Sequence, residues 1–189
     1  MKRKTAKEIL ADSFHELAEN RQIDKITVRE IAANCGYSSA TFYRHFSDKY
    51  DLIAWDYARQ IETLMRRIGT DGYTWKQALW DCLTHYQQEK EYLANILKHT
   101  SGHDSFVHYM TQIHCEEASA YIKKSAGVNS LDAKMAMYIR LYCLGTVCLC
   151  AEWILGKMEA TPEELAEVCE NSLPLPMRPL MLGNETVLR

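Results

Sequence analysis

Proline is scarce in this chain: four residues in 189, the first of them at position 162. Glycine is held to eight. With so few breakers the chain is free to run in helices, and no alternation of strand period persists anywhere. No internal repeat or low-complexity tract interrupts it. Long apolar runs are missing too: the uncharged interval 141–151 is well short of the ~20 residues that cross a bilayer. The opening MKRKTAKEIL turns helical and charged at once, unlike a secretory leader, so a cytoplasmic protein with no membrane partner is expected. Catalytic motifs are absent. There is no H-E-x-x-H, no G-x-S-x-G and no phosphate-binding glycine loop, which leaves enzyme chemistry no footing and calls for no cofactor.

Cysteine is present, seven times, but without C-x-x-C spacing. An odd, scattered set of this kind reads as reduced and mostly buried thiols; the region of Cys143, Cys148 and Cys150 is the place to look for redox sensing. His99, His103, His108, His114 and Cys115 crowd into one stretch, yet a Ser-Gly break and five-residue spacing keep them off a common face, so no metal site is expected. The apolar share of 47% is ample for a globular core. Net charge is −3, unevenly spread: residues 1–50 carry nine basic against seven acidic side chains, the remainder thirteen against eighteen. A mildly basic front on an acidic body fits contact with a polyanion through one end.

The most informative stretch is 27–49, TVREIAANCGYSSATFYRHFSDK. Thr27 and Glu30 stand at capping-box spacing and open a short helix with Val28, Ile31 and Ala32 inward. Gly36 stops it, since glycine accepts the left-handed conformation of a tight turn. Ser38 caps a second helix to about Phe46, in which Phe42 and Phe46 share the buried face. At ~100° per residue the opposite face carries Ala40 and Arg44, with Thr41 and Tyr43 on its shoulders and Ser39 and His45 at the rim. This is a helix-turn-helix whose outer face suits the major groove of double-stranded DNA. Arg44 matches guanine, and the methyls of Ala40 and Thr41 match a thymine methyl. Thr27, Tyr43 and His45 are placed for phosphates, and Arg29 and Ser39 complete the expected DNA-facing set. Lys49, at a helix start, opposes the helix dipole and is read as a phosphate contact. Lys2, Arg3 and Lys4 form a basic arm ahead of a first helix that Thr5 and Glu8 open.

The run Thr27, Ile31-Ala32, Gly36, Ser38, Thr41-Phe42-Tyr43, His45-Phe46 and Lys49 resembles the DNA-binding signature of the TetR family of bacterial regulators. Cys35, Tyr37 and Ala40 depart from that pattern, and Ala40 lies among the base-reading positions. The resemblance implies an all-α fold, with a three-helix head on a larger bundle of about nine helices in total, and a palindromic operator read by a dimer. Residues 1–49 would form the head, 50–173 an effector-binding and dimerisation domain, and 174–189 a partly loose tail.

In the body, Thr74 with Gln77 and Thr161 with Glu164 mark two further helix starts. Residues 131–156 are apolar nearly all round and read as a buried helix, with Gly145 as a point of close helix approach. The ending, with Tyr142, Gly145, Trp153, Gly156 and Thr161-Pro162-Glu163-Glu164-Leu165, is similar to a TetR branch that resembles regulators of dihydroxyacetone kinase operons. It implies a homodimer through the last two helices, which is also how an apolar surplus would be buried. Trp80, His85, Tyr86, His108, Tyr109, Tyr138 and Tyr142 offer aromatic surface with polar tips, the expected lining of a small-molecule effector pocket. A ligandless regulator or activator answering to a protein partner is the alternative.

Overall fold

The computed structural model describes residues 4–100 and 105–183. Among these the chain is all-α, with α1 Ala6–Ala18, α2 Val28–Asn34, α3 Ser39–Tyr43, α4 Lys49–Arg67, α5 Trp75–Gln88, α6 Lys90–Lys98, α7 Phe106–Ala126, α8 Ala133–Ile154, α9 Pro162–Asn171 and α10 Arg178–Leu182. A 3-10 turn, Ile23–Lys25, precedes α2. The starts follow local rules: Thr5, Thr27, Thr74 and Thr161 each close a full capping box. In each, the threonine hydroxyl accepts from the third helical N–H while the side chain there accepts from the cap's own N–H, satisfying two orphan donors. Asp48 opens α4 by accepting from the N–H groups of Tyr50 and Asp51 at 2.8 and 2.9 Å.

Helices α1 to α3 form the head around Leu10, Phe14, Ile31, Phe42 and Phe46, all essentially without solvent contact. The buried Ser13 hydroxyl donates to the Ile31 carbonyl at 2.7 Å and ties α1 to α2. Helix α4 leaves the head and enters the body, where it packs on α5 and α7; α5 lies against α9, and α7 against α8. Head and body are stapled by Asn95 on α6, whose amide donates to the carbonyls of Ala18 and Arg21 (3.1 and 2.7 Å) and accepts from the Ile23 N–H (3.3 Å). His15 meets Glu89 at 2.7 Å beside it.

The tail, expected to be partly loose, carries an unforeseen helix: α10 packs on α7 with Met177 and Met181 buried. The Arg178 guanidinium donates to the Asn171 and Leu173 carbonyls (2.8 and 3.0 Å), so the end of α9 is capped from a distance. Helix α8 is not buried all round. By length and composition its 22 residues could cross a membrane, yet Ile139, Tyr142, Cys143, Val147 and Trp153 pack into the body while Met137, Leu141 and Leu144 are 64%, 70% and 43% exposed. Gly145 lies on that open side, with nothing within 4 Å of an added Cβ.

The thiols are free: Cys143, Cys150 and Cys169 are buried and Cys148 is exposed. Cys148 and Cys150 sit on different sides of α8, as residues two apart on a helix do. Lys2, Arg3, His103 and the final residues of the tail lie outside the described residues.

Candidate nucleic-acid interface and body cavity

Between α2 and α3 the backbone turns through Gly36 at φ +75°. The Tyr37 N–H reaches back to the Ala32 carbonyl at 2.8 Å, closing α2. The Ser38 hydroxyl then accepts from the Thr41 N–H at 3.2 Å and starts α3. Regular helix ends at Tyr43, but N–H groups of Arg44 and Phe46 still bond the carbonyls of Ala40 and Phe42, so the helical turn carries through to Phe46. Phe42 (0% exposed) and Phe46 (2%) anchor this short element, with rings 5.7 Å apart. Phe46 meets Trp55 of α4 at 5.6 Å, and the Lys7 ammonium covers both rings.

With that side fixed, the opposite side is forced outward. Ala40, Tyr43 and Arg44 are exposed, Tyr43 to 60%. The Arg44 guanidinium donates to the Thr41 hydroxyl at 3.3 Å and so lies along the helix surface. Ser39, Thr41 and His45 are half-buried at the rim. Thr27 and Arg29 are exposed at the start of α2. The Thr27 hydroxyl is taken up in its capping box, donating to the Glu30 carboxylate at 2.7 Å. Hydrogen bonds from Thr27 and then from Arg21 hold the Glu30 carboxyl down at about 2, so it stays charged. Lys4 turns back to Asp12 at 2.6 Å.

Lys49 has a different task from the phosphate contact anticipated for it. Its ammonium donates to the carbonyls of Ile23, Asp24 and Ile26 at 2.8, 3.0 and 2.9 Å. All three N–H donors are spent on the loop that sets up α2. Burial lowers the lysine's pKa, and those carbonyls supply what water would have supplied.

The body holds an apolar cavity of about 60 Å³ between α4, α5, α7, α8 and α9. Its lining follows helix periodicity: Ile61, Leu64 and Met65 from α4; Trp75, Ala78, Leu79, Cys82, Leu83 and Tyr86 from α5; Met110, His114, Glu117 and Ala118 from α7. Tyr142, Cys143, Thr146, Val147 and Cys150 come from α8 and Cys169 from α9. At one end the Tyr57 hydroxyl bonds Tyr86 and His114 Nε2 (2.7 Å to the latter), joining α4, α5 and α7. Burial pushes His114 down to about 4, so its ring is neutral.

Of the aromatics expected at a pocket, the structure brings only Tyr86 and Tyr142 to this wall. Trp80 is 49% exposed on the outer side of α5. His85 faces a second cleft against α1, bonded to Gln60 at 2.7 Å. His108 is exposed, and Tyr109 and Tyr138 are half-buried away from the cavity. Selecting for polar-tipped aromatics misled here. The i, i+4, i+7, i+8 run of Met110, His114, Glu117 and Ala118 was the usable signal on α7. Trp75 and His114 were the residues overlooked.

Comparison with known proteins follows the same division. Residues 12–54 match the family described as bacterial regulatory proteins, tetR family, and residues 73–174 match a transcriptional regulator C-terminal region. A 51-residue segment is 33% identical to an uncharacterized HTH-type transcriptional regulator of Haemophilus influenzae, covering 27% of this chain and 25% of that protein. The chain thus spans only a quarter of that relative. Among solved structures the fold is shared with the dihydroxyacetone kinase operon activator DhaS, at TM-score 0.64 and 18% identity over 93% of this chain and 97% of that one. It is shared also with Thermus thermophilus FadR, a TetR family repressor in complex with lauroyl-CoA, at TM-score 0.57 and 17% identity over 97% and 96%.

Proposed function

The chain belongs to the TetR family of bacterial regulatory proteins, and on that premise we propose that it is a homodimeric repressor that binds a palindromic operator and is released by a small-molecule effector. The observation carrying this reading is the exposed face of Ala40, Tyr43 and Arg44 over the buried pair Phe42 and Phe46. In this reading Ala40, Thr41 and Arg44 read base edges, while Tyr43, His45, Ser39, Thr27 and Arg29 hold phosphates. Lys49 is a positioning residue that keeps α2 in place.

A single short helix binds weakly, and two of them ~34–36 Å apart read successive major grooves. The exposed stripe of Met137, Leu141 and Leu144 on α8, with Val168 (49% exposed) on α9, supports a two-fold contact that buries apolar surface. The effector enters at the cavity, where Tyr86 and Tyr142 remain as contacts. A ligand acts only through its preference for one head arrangement, and α4 connects cavity to head.

Selection of bound sites from random duplex DNA tests the reading. Inverted repeats are expected, and Arg44→Ala costs ~1–3 kcal/mol of binding and relaxes one base position in each half-site. Enrichment of no sequence, or of single unpaired half-sites, sinks it. A second reading rests on the cavity's volume of about 60 Å³, well below the ~300–1,000 Å³ of ordinary ligand sites. With a cavity this small, the body would answer to a protein partner instead.

A further inference from the structure

The cavity wall holds one donor with nothing to donate to. Trp75 is 7% exposed, and its indole Nε1 finds no hydrogen-bond partner among the described residues. The Tyr142 hydroxyl lies near it and donates its own proton to the Cys169 carbonyl at 2.8 Å, but it makes no hydrogen bond with the indole. Buried N–H groups are nearly always paired, so an unpaired one on a cavity wall asks for an explanation. Tyr86, His114 and Thr146 on the same wall are engaged. Tyr86 and His114 are bonded to Tyr57, and the Thr146 hydroxyl donates to the Tyr142 carbonyl at 2.9 Å.

Charge narrows the occupant further. Among the described residues no lysine or arginine lines the cavity, and His114 is neutral at physiological pH. Glu117 is the one charged group on the wall among the described residues, and burial together with Glu62 raises its pKa. An anionic head would meet that carboxylate without a counter-charge. A cationic head at Glu117 would leave the Trp75 N–H as it is, because an ammonium cannot accept from it.

We infer that the effector is an uncharged, largely apolar molecule bearing one hydrogen-bond acceptor, a carbonyl or ether oxygen, which it presents to the Trp75 indole N–H. This rests on the effector reading above. The cavity's roughly 60 Å³ is smaller than the ~150 Å³ site that admits benzene in an apolar core. Entry therefore spreads the walls, and Ile61, Leu64 and Met65 make one wall part of α4. Tyr57 stands one turn before Ile61 on the same helix, so its bonds to Tyr86 and His114 resist that spreading in the unliganded protein. An acceptor at Trp75 is what repays it.

The full-length protein, labelled with ¹⁵N-tryptophan, is titrated with acetophenone and with ethylbenzene, a pair differing in the acceptor oxygen. The indole signals are assigned from Trp55→Phe, Trp80→Phe and Trp153→Phe, leaving Trp75 by elimination. Acetophenone is expected to move the Trp75 Nε1–H signal downfield and to bind about tenfold tighter than ethylbenzene, the worth of one net hydrogen bond. In Trp75→Phe the two are expected to bind alike; the wild-type shift decides the matter even if that variant fails to fold. Equal affinities with the Trp75 signal unmoved overturn the acceptor and leave the effector site standing. Tighter binding of benzoate or 1-phenylethylamine than of acetophenone overturns it as well. If neither member of the pair disturbs the methyl signals of Met65, Leu79 and Met110, the effector reading falls with it.

Discussion

In the function proposed above, the head and the body of this protein keep their working surfaces in opposite places. In the head, function lies outside: two phenylalanines are buried so that Ala40, Tyr43 and Arg44 are left on display. In the body it would lie inside: a neutral histidine, the tyrosines Tyr57, Tyr86 and Tyr142 and an unpaired indole gather where α4, α5, α7 and α8 meet. The head's surface is made by residues within one stretch of chain, whereas Tyr57, Tyr86 and His114 come from three separate helices. A substitution in the head should therefore act locally, and one at the cavity should be felt by several helices at once.

The sharpest break in that contrast is Phe42→Ala. Emptying the space of a ring with 0% exposure costs about 3–5 kcal/mol, and operator binding is lost with it. Urea unfolding followed by circular dichroism is expected to show an early transition for the head, with body helicity retained. One shared transition would mean that the Asn95 staple makes head and body a single folding unit.

The next effect belongs to the body. Burial holds His114 at about 4 against an ordinary 6.5. As pH falls the unfolded chain takes up this proton first, so stability is whole above about pH 7, declines through 6.5 and levels off near 4. The difference between pH 7.5 and pH 5 is on the order of 2 kcal/mol. His114→Gln should flatten that part of the pH profile, measured by urea unfolding, while leaving operator affinity at pH 7.5 close to that of the parent. A profile unchanged by the substitution would place the acid sensitivity elsewhere.

Smallest is Thr27→Ala, which removes one capping box from an exposed helix start. About 1 kcal/mol is expected, seen as a small drop in the unfolding midpoint. Because Thr27 is proposed to hold a phosphate, operator binding is expected to fall beyond that drop; binding lost only in step with stability would leave its hydroxyl to Glu30 alone.

The helix starts were legible because each capping box needs only residues three apart, and Thr5, Thr27, Thr74 and Thr161 all supply one. The outward face of α3 was legible because Phe42 and Phe46 are four apart. Lys49 was misread for the opposite reason. Its partners are carbonyls more than twenty residues earlier, and nothing in its neighbours announces them. Distance also hid α10, because Met181 has meaning only once α7 is beside it; Arg178 bonds carbonyls five and seven residues back, at the end of α9. His85 and Tyr86 looked equivalent as neighbours in sequence, yet ~100° of helix turn sends one to a cleft against α1 and the other to the cavity.

By itself the sequence determined the helical class, the four capped helix starts, the family and the outward face of α3, since each follows from spacing within a few residues. Only the tertiary structure decided what Lys49 bonds, which side of α8 is open and which side chains enclose the cavity. Those depend on how far helices distant in the chain rotate and slide to fill space together, and no local pattern carries that information.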